Sequence, residues 1–421
     1  MTMEIIGSVD KDRLYCSGSF SKFLTTYVCL SFLSEKYELS NIIDDVDFLD
    51  RIAVNASTKD FLNTFQKIIQ SKFTIHDLCT YYTGLPYTFS LTQQELTTVE
   101  NGHPFKHHSI MDEKIFLSMC KENITAVYTN QCKFHYSEIS ILFLGYLVEK
   151  IYDVKMEDLY QKYVIDKFQL KDSIFSRVRP KNVYCQDLSD EYDYPAIAIL
   201  DHGYFCYSNG FFTTLNDTKI LLEQIFHEPV FQFMVDIKNA RAASPRLMNG
   251  LAVEIRIAGD DILYGYEGLS YSGCNAWSYS TKNKKGYITF TNNEDEAYDM
   301  LYQPYGYAEF DPVPVETTLI YKNFIKQYDY LKSSPNIPEE YQGNYQRVNI
   351  NEKKLETIFL VENDYIVIRN PDTIKYNVIY VNGHYRIKNK DNTHGTTVAF
   401  YTAKSGHLYF LFDGTLYKKC N

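Results

Sequence analysis

The chain has 421 residues, 45% of them hydrophobic, enough to bury the cores of two or three domains. A formal net charge of −11 and a pI near 5.4 argue against nucleic acid or an anionic membrane as the main partner. No uninterrupted apolar run reaches the roughly 20 residues of a membrane span. Met1–Gly7 lacks the basic-then-apolar pattern of a secretory signal, so a cytoplasmic location is expected. The nine cysteines are scattered and form no C-x-x-C pair, which suits free, buried thiols in a reducing compartment.

The first 18 residues hold at most one or two short strands. Leu14 to Leu33, reading LYCSGSFSKFLTTYVCLSFL, is predicted as a helix. Within it Ser19 and Lys22 have S-x-x-K spacing, which puts a hydroxyl and an amine on one helical face. A serine nucleophile whose base is a lysine needs that arrangement. Ser8–Lys11 and Ser118–Lys121 share the spacing, but Gly18 and the apolar run Phe23, Leu24, Tyr27, Val28 and Leu30 favour Ser19. Burial would lower the pKa of Lys22 and let it take the proton of Ser19. These residues alone leave open an amphipathic helix with a serine near its start and a solvated lysine. Cys16 is a rival nucleophile by position, with no His or Lys in register to activate it.

Residues 41–53 carry Asp44, Asp45, Asp47 and Asp50, at a spacing that fits a solvated face better than a calcium loop. Phe61–Ile69 has helical periodicity. Thr74 and Asp77 form a capping-box pattern for a helix expected to stop at Gly84 and Pro86. His103, His107 and His108 lie in polar, irregular sequence and read as a surface loop rather than a metal site. Helices follow at Ile139–Ile151, Met156–Phe168 and Thr218–Phe226. From Gly250 the period falls to two, with Leu251, Val253, Ile255 and Ile257 on one face, and strands recur at Ile262–Tyr264 and Gly286–Asn292.

Helices in the middle and strands after them imply an α+β domain over 1–303: an antiparallel sheet flanked by helices, with an inserted helical lobe. Five of the twelve prolines fall in 304–338, read as a linker holding one helix at Leu319–Leu331. Beyond it, short alternating runs are separated by turn residues, including Asn382–Gly383 and Asp413–Gly414. A small antiparallel sandwich or lipocalin-like β-barrel over 338–421 is expected.

Several stretches, in order, resemble the serine β-lactamase and penicillin-binding-protein-like family, above all its class C-like esterase and peptidase branch. LYCSGSFSK resembles its nucleophile segment and FTIHDLCTYYTGLP its ITIRHLLTHTSGLP stretch. FHYSE before a helix resembles its Y-x-N motif, and SNGFFTTLNDT its GGLFSTANDL stretch. GYEGLSYSG followed by GYITFTNN resembles the H-x-G strand and its neighbour, and PEEYQGNY the opening of an appended barrel.

The resemblance implies Ser19 as nucleophile, Lys22 as its base and Tyr136 as a proton shuttle, with acyl transfer through an acyl-serine and no metal or organic cofactor. It also implies that the strand around Tyr266, Gly268 and Leu269 lines the cleft. The N–H groups of Ser19 and Leu269 would then form the oxyanion hole. Three departures stand out: Glu138 replaces the Asn of the second motif, Tyr266 replaces the His or Lys of the third, and only 18 residues precede Ser19. An aromatic third motif disfavours substrates that end in a carboxylate. The short N-terminus leaves a sheet edge that a second copy of the chain could cover. The expected activity is hydrolysis or acyl transfer on a small ester, amide or peptide, with Glu138 recognising a substrate amine. The competing expectation is an inactive relative that binds a ligand or partner in the same cleft.

Overall fold

The computed structural model describes residues 2–7, 10–89, 93–102, 112–122, 134–184, 203–244, 247–258, 261–270, 273–291, 337–348, 358–362, 365–369, 373–381, 384–388, 394–412 and 415–420. The proline-rich segment with its expected helix, and the three-histidine cluster, lie outside them.

The N-terminal strand β1 (Thr2–Ile6) joins a seven-stranded sheet whose other members come from late in the chain. These are β2 (Arg241–Ser244), β3 (Leu247–Asn249), β4 (Glu254–Ala258), β5 (Asp261–Ser270), β6 (Gly273–Ser280) and β7 (Lys285–Thr291). Their order is β1-β7-β6-β5-β4-β3-β2. From β7 to β2 every pairing is antiparallel, whereas β1 runs parallel to β7. On the outer side of β1, the N–H of Met3 donates to Glu223 Oε1 at 2.9 Å, so a side chain covers one of its edge donors.

The helix predicted from Leu14 begins later. Tyr15–Cys16 is a short strand paired with Phe211–Thr213, and α1 spans Phe20–Ser34. The switch occurs at Gly18, whose φ of +53° suits glycine and turns the chain into the helix. Every residue of α1 from Phe20 to Leu33 is buried, so it is the central helix of the lobe rather than an amphipathic surface helix. The capping box on α2 (Ile75–Cys79) is present as expected. That helix stops five residues before Gly84, because Tyr81 adopts a left-handed backbone at φ +60°. α3 (Gln93–Glu100), α4 (Glu138–Tyr152), α5 (Cys206–Asn209) and α6 (Leu215–Ile225) follow. Met156–Tyr160 continues into a π-helical turn at Gln161–Asp166, within the helix expected from 156 to 168. α1 packs on β5, and α6 on β1 and β7.

The C-terminal runs form a closed antiparallel barrel of eight strands, β8 to β15. They are β8 (Gly343–Arg347), β9 (Ile358–Glu362), β10 (Tyr365–Arg369), β11 (Thr373–Val381), β12 (His384–Lys388), β13 (His394–Thr402), β14 (Leu408–Phe412) and β15 (Thr415–Lys419). Closure comes from β8, which pairs with both β9 and β15 and leaves no free edge. Tyr345, Val361, Ile366, Val398, Phe410 and Tyr417 share one core. Their alternates Tyr409, Leu411 and Leu416 belong to a second cluster that also takes in Leu96 of α3.

Candidate active site

The first turn of α1 and the end of β5 approach so closely that only glycines fit. A Cβ on Gly268 would lie 1.9 Å from the carbonyl oxygen of Ser17, and one on Gly18 would lie 2.4 Å from that of Leu269. Ser19 follows as the N-cap of α1, yet its hydroxyl makes no capping bond and stays available. The backbone N–H groups of Phe20, Ser21 and Lys22 bond back to Ser17, Gly18 and Ser19 respectively. Leu269, directly beside this turn, is 58% exposed.

Lys22 lies one turn into α1 and is wholly buried. Its Nζ donates to Ser19 Oγ at 2.8 Å and to Glu138 Oε1 at 3.3 Å. The S-x-x-K spacing therefore does bring the two side chains together. Glu138 is the first residue of α4, held there by Ser137, whose hydroxyl accepts from the N–H of Ser140 and donates to the carbonyl of Pro86. The N–H of Glu138 donates to the carbonyl of Tyr87 at 2.8 Å. Instead of facing water at the helix start, the Glu138 side chain points inward and pairs with the lysine.

This pairing reverses the expected behaviour of Lys22. Burial alone pulls its pKa down, but Tyr136 and Glu138 together outweigh that pull and raise it above its ordinary value of 10.5. Lys22 is thus held as an ammonium at neutral pH, not as the free amine that burial by itself would give.

Tyr136 lies beside the pair, its ring centroid 5.2 Å from Lys22 Nζ. One neighbour of its ring is Tyr87, stacked at 5.8 Å, and another is Tyr81, at 4.9 Å. Tyr266 is 5% exposed and its hydroxyl lies 3.0 Å from that of Tyr81. Burial first, then Tyr136, pushes the pKa values of Tyr81 and Tyr266 well above 10, so both are neutral phenols.

Two residues at the site went unassigned from sequence. Asn209, the last residue of α5, directs its Nδ2 at Glu138 Oε1 at 3.5 Å and at Ser208 Oγ at 2.8 Å. Tyr81 is the second. Both lie inside quoted motif stretches, SNGFFTTLNDT and FTIHDLCTYYTGLP, and that position was the available signal. Cys16 is buried, its thiol directed at the carbonyl of Asn209 at 3.5 Å. The acidic run pairs with cations on the surface: Asp45 with Arg51, and Asp47 and Asp50 with Lys72.

The Beta-lactamase family model matches residues 4–294. The chain belongs to the beta-lactamase family. Solved structures with the same fold include the octameric penicillin-binding-protein homologue from Pyrococcus abyssi. It is 15% identical with a TM-score of 0.52, over 97% of this chain and 88% of that one. A penicillin-binding protein from Bacillus halodurans is 17% identical at TM-score 0.52, over 70% and 87% of the two chains. A D-stereospecific amidohydrolase from Streptomyces sp. is 13% identical at TM-score 0.51, over 72% and 90%. No curated protein matches in sequence. The Pyrococcus abyssi likeness extends over nearly the whole chain, beyond the beta-lactamase region and into the barrel. Among the described residues, no helix is long and apolar enough to cross a membrane.

Proposed function

We propose that the chain is a serine hydrolase or acyltransferase that works through an acyl-serine intermediate on a small ester, amide or peptide. The observation that carries this reading is the 2.8 Å contact between Lys22 Nζ and Ser19 Oγ at the start of a buried helix. Ser19 Oγ attacks the acyl carbon, and the N–H groups of Ser19 and Leu269 receive the developing oxyanion. As Lys22 takes the serine proton, it passes its own to Glu138, so one proton enters the pair and one leaves it. The proton returns through Lys22 to the departing group, and Tyr136 steadies that group as it leaves. Water or another acceptor then attacks the acyl-serine and frees Ser19.

Glu138 also suits recognition of a substrate amine. Its Oε1 already serves Lys22 and Asn209, so we assign it first to the lysine, and a substrate ammonium would have to share it. With Tyr266 turned onto Tyr81 instead of a cation at the third motif, the cleft suits neutral or amine-bearing acyl groups over carboxylates. Assembly into a homo-oligomer is a further part of this reading, supported by the octameric Pyrococcus abyssi homologue; sedimentation velocity tests it.

A second reading has its own observation: the same ion pair that holds Lys22 as an ammonium would silence a lysine base and leave a binding protein. One experiment separates the two. Under the first reading, intact mass after a fluorophosphonate probe shows one adduct, mapped to Ser19. Ser19→Ala removes the adduct and lowers turnover about 10⁴-fold or more with the fold intact. A probe that leaves the protein unmodified favours the binding reading, and an adduct on Ser8 or Ser118 sinks the assignment.

A further inference from the structure

Resting on the hydrolase reading, we propose that Tyr81 is a positioning residue for Tyr136, acting through Tyr266. The first observation is its backbone. Tyr81 sits at φ +60°, a left-handed conformation that a bulky aromatic residue seldom adopts. Its surroundings enforce that conformation. The N–H of His135 donates to the carbonyl of Tyr81 at 2.8 Å, the N–H of Tyr82 to that of Asp77 at 2.8 Å, and the N–H of Ala252 to that of Cys79 at 2.9 Å. A bond within its own turn and two from distant segments thus hold one residue in an unfavourable geometry.

What the geometry achieves is the second observation. The side chain is turned inward, 1% exposed, with its hydroxyl 3.0 Å from that of Tyr266 and its ring 4.9 Å from Tyr136. Tyr266 feels the oxygen of Tyr136, which helps raise its pKa, and Tyr136 in turn lies beside Lys22, its ring centroid 5.2 Å from Nζ. The hydroxyls of Tyr81, Tyr266 and Tyr136 therefore lead to the lysine that touches Ser19. Each neutral phenol carries one proton and can accept another hydrogen bond. Either hydroxyl of the Tyr81–Tyr266 contact can donate; with Tyr81 as the donor, Tyr266 is set to donate to the oxygen of Tyr136. With that oxygen also facing the Lys22 ammonium, the proton of Tyr136 is left to point at the cleft, where a leaving group would need it. The third-motif tyrosine then orients the second motif, and Tyr81 orients the third.

The test is the rate of fluorophosphonate labelling of Ser19 against pH in wild type, Tyr81→Phe, Tyr266→Phe and the double variant. Phenylalanine keeps the rings and removes only the hydroxyls. Each single change should slow labelling about tenfold, the worth of one hydrogen bond, and shift the pH profile while the thermal transition stays in place. The double variant should be no slower than Tyr266→Phe, because Tyr81 acts only through Tyr266. Wild-type rate and pH profile in Tyr81→Phe, or single effects that multiply in the double variant, would overturn the proposal. Wild-type protein that takes no label on Ser19 would overturn the hydrolase reading and this inference with it.

Discussion

Beside Ser19, Glu138 meets Lys22 with the ammonium wholly removed from solvent. At the seam between α3 and the barrel, Glu100 meets His407 at 2.8 Å, and His407 is 45% exposed there. The two contacts have similar lengths and opposite consequences. At 3.3 Å and an effective dielectric near 20, the buried pair attracts by about 5 kcal/mol, set against the cost of desolvating both ions. The exposed pair is screened by water and salt, and surface pairs of its kind yield about 0.2–1 kcal/mol. A carboxylate thus helps set the charge of a buried lysine at one end of the molecule and only trims a docking surface at the other.

The largest effect comes from breaking the buried pair. Glu138→Gln leaves the Lys22 ammonium without its counter-charge and should cost about 3–5 kcal/mol, read as a lower urea midpoint of the catalytic region. Adding Lys22→Met should recover most of that loss, because the isolated charge is then gone. The single variant has a kinetic signature too. Glu138 is one of the groups that raise the pKa of Lys22, so without it the alkaline limb of the labelling rate should move to lower pH. An unchanged midpoint and limb would show that the pair is not formed in solution.

Much of this site was legible before any coordinates. Ser19 and Lys22 meet because a three-residue spacing on a helix is local geometry. The barrel strands fell where alternation and Asn-Gly or Asp-Gly turns put them, since hairpins are local too. The sign of the Lys22 shift was not legible. Burial is readable from an apolar helix, but the carboxylate that outweighs it comes from 116 residues away. Tyr81 was hidden for the same reason: its partner Tyr266 is 185 residues distant, and its left-handed backbone is imposed by segments that sequence does not show to be adjacent. The parallel pairing of β1 with the last strand of its sheet was beyond reach as well, because nothing in Thr2–Ile6 specifies direction.

A middle-sized effect is expected at the apolar part of the seam. Leu96 is fully buried against the barrel cluster of Tyr409, Leu411 and Leu416. Leu96→Ala should weaken the docking by about 2–4 kcal/mol, as for other buried leucines. The expected 304–337 linker would then be the main tether. Limited proteolysis should cut there and release a stable fragment of roughly 80 residues, an ordinary size for a small domain. Cleavage scattered through the barrel strands would instead show that the barrel does not hold together without α3.

The smallest effect belongs to the charged part of the same seam, and it has a definite sign. A hydrogen bond from Ser405 first, and His407 after it, hold the Glu100 carboxyl below its ordinary value of 4.5. A carboxylate lowered on folding contributes stability that is complete above its unfolded pKa and is lost as pH falls through the folded one. The seam should therefore keep its full strength from neutral pH down to about 4.5, then loosen below it. Glu100→Gln cannot titrate, so its seam should be slightly weaker at pH 7 and flat through the same range. Hydrogen exchange over residues 93–100, corrected for the intrinsic pH dependence of exchange, reads the difference directly. Wild-type protection that falls between pH 5 and 3.5 while the variant stays level fits a contact worth about 0.2–1 kcal/mol. Equal slopes in the two proteins would mean that the Glu100 contact contributes nothing there and that α3 is held to the barrel by its other contacts, Leu96 among them.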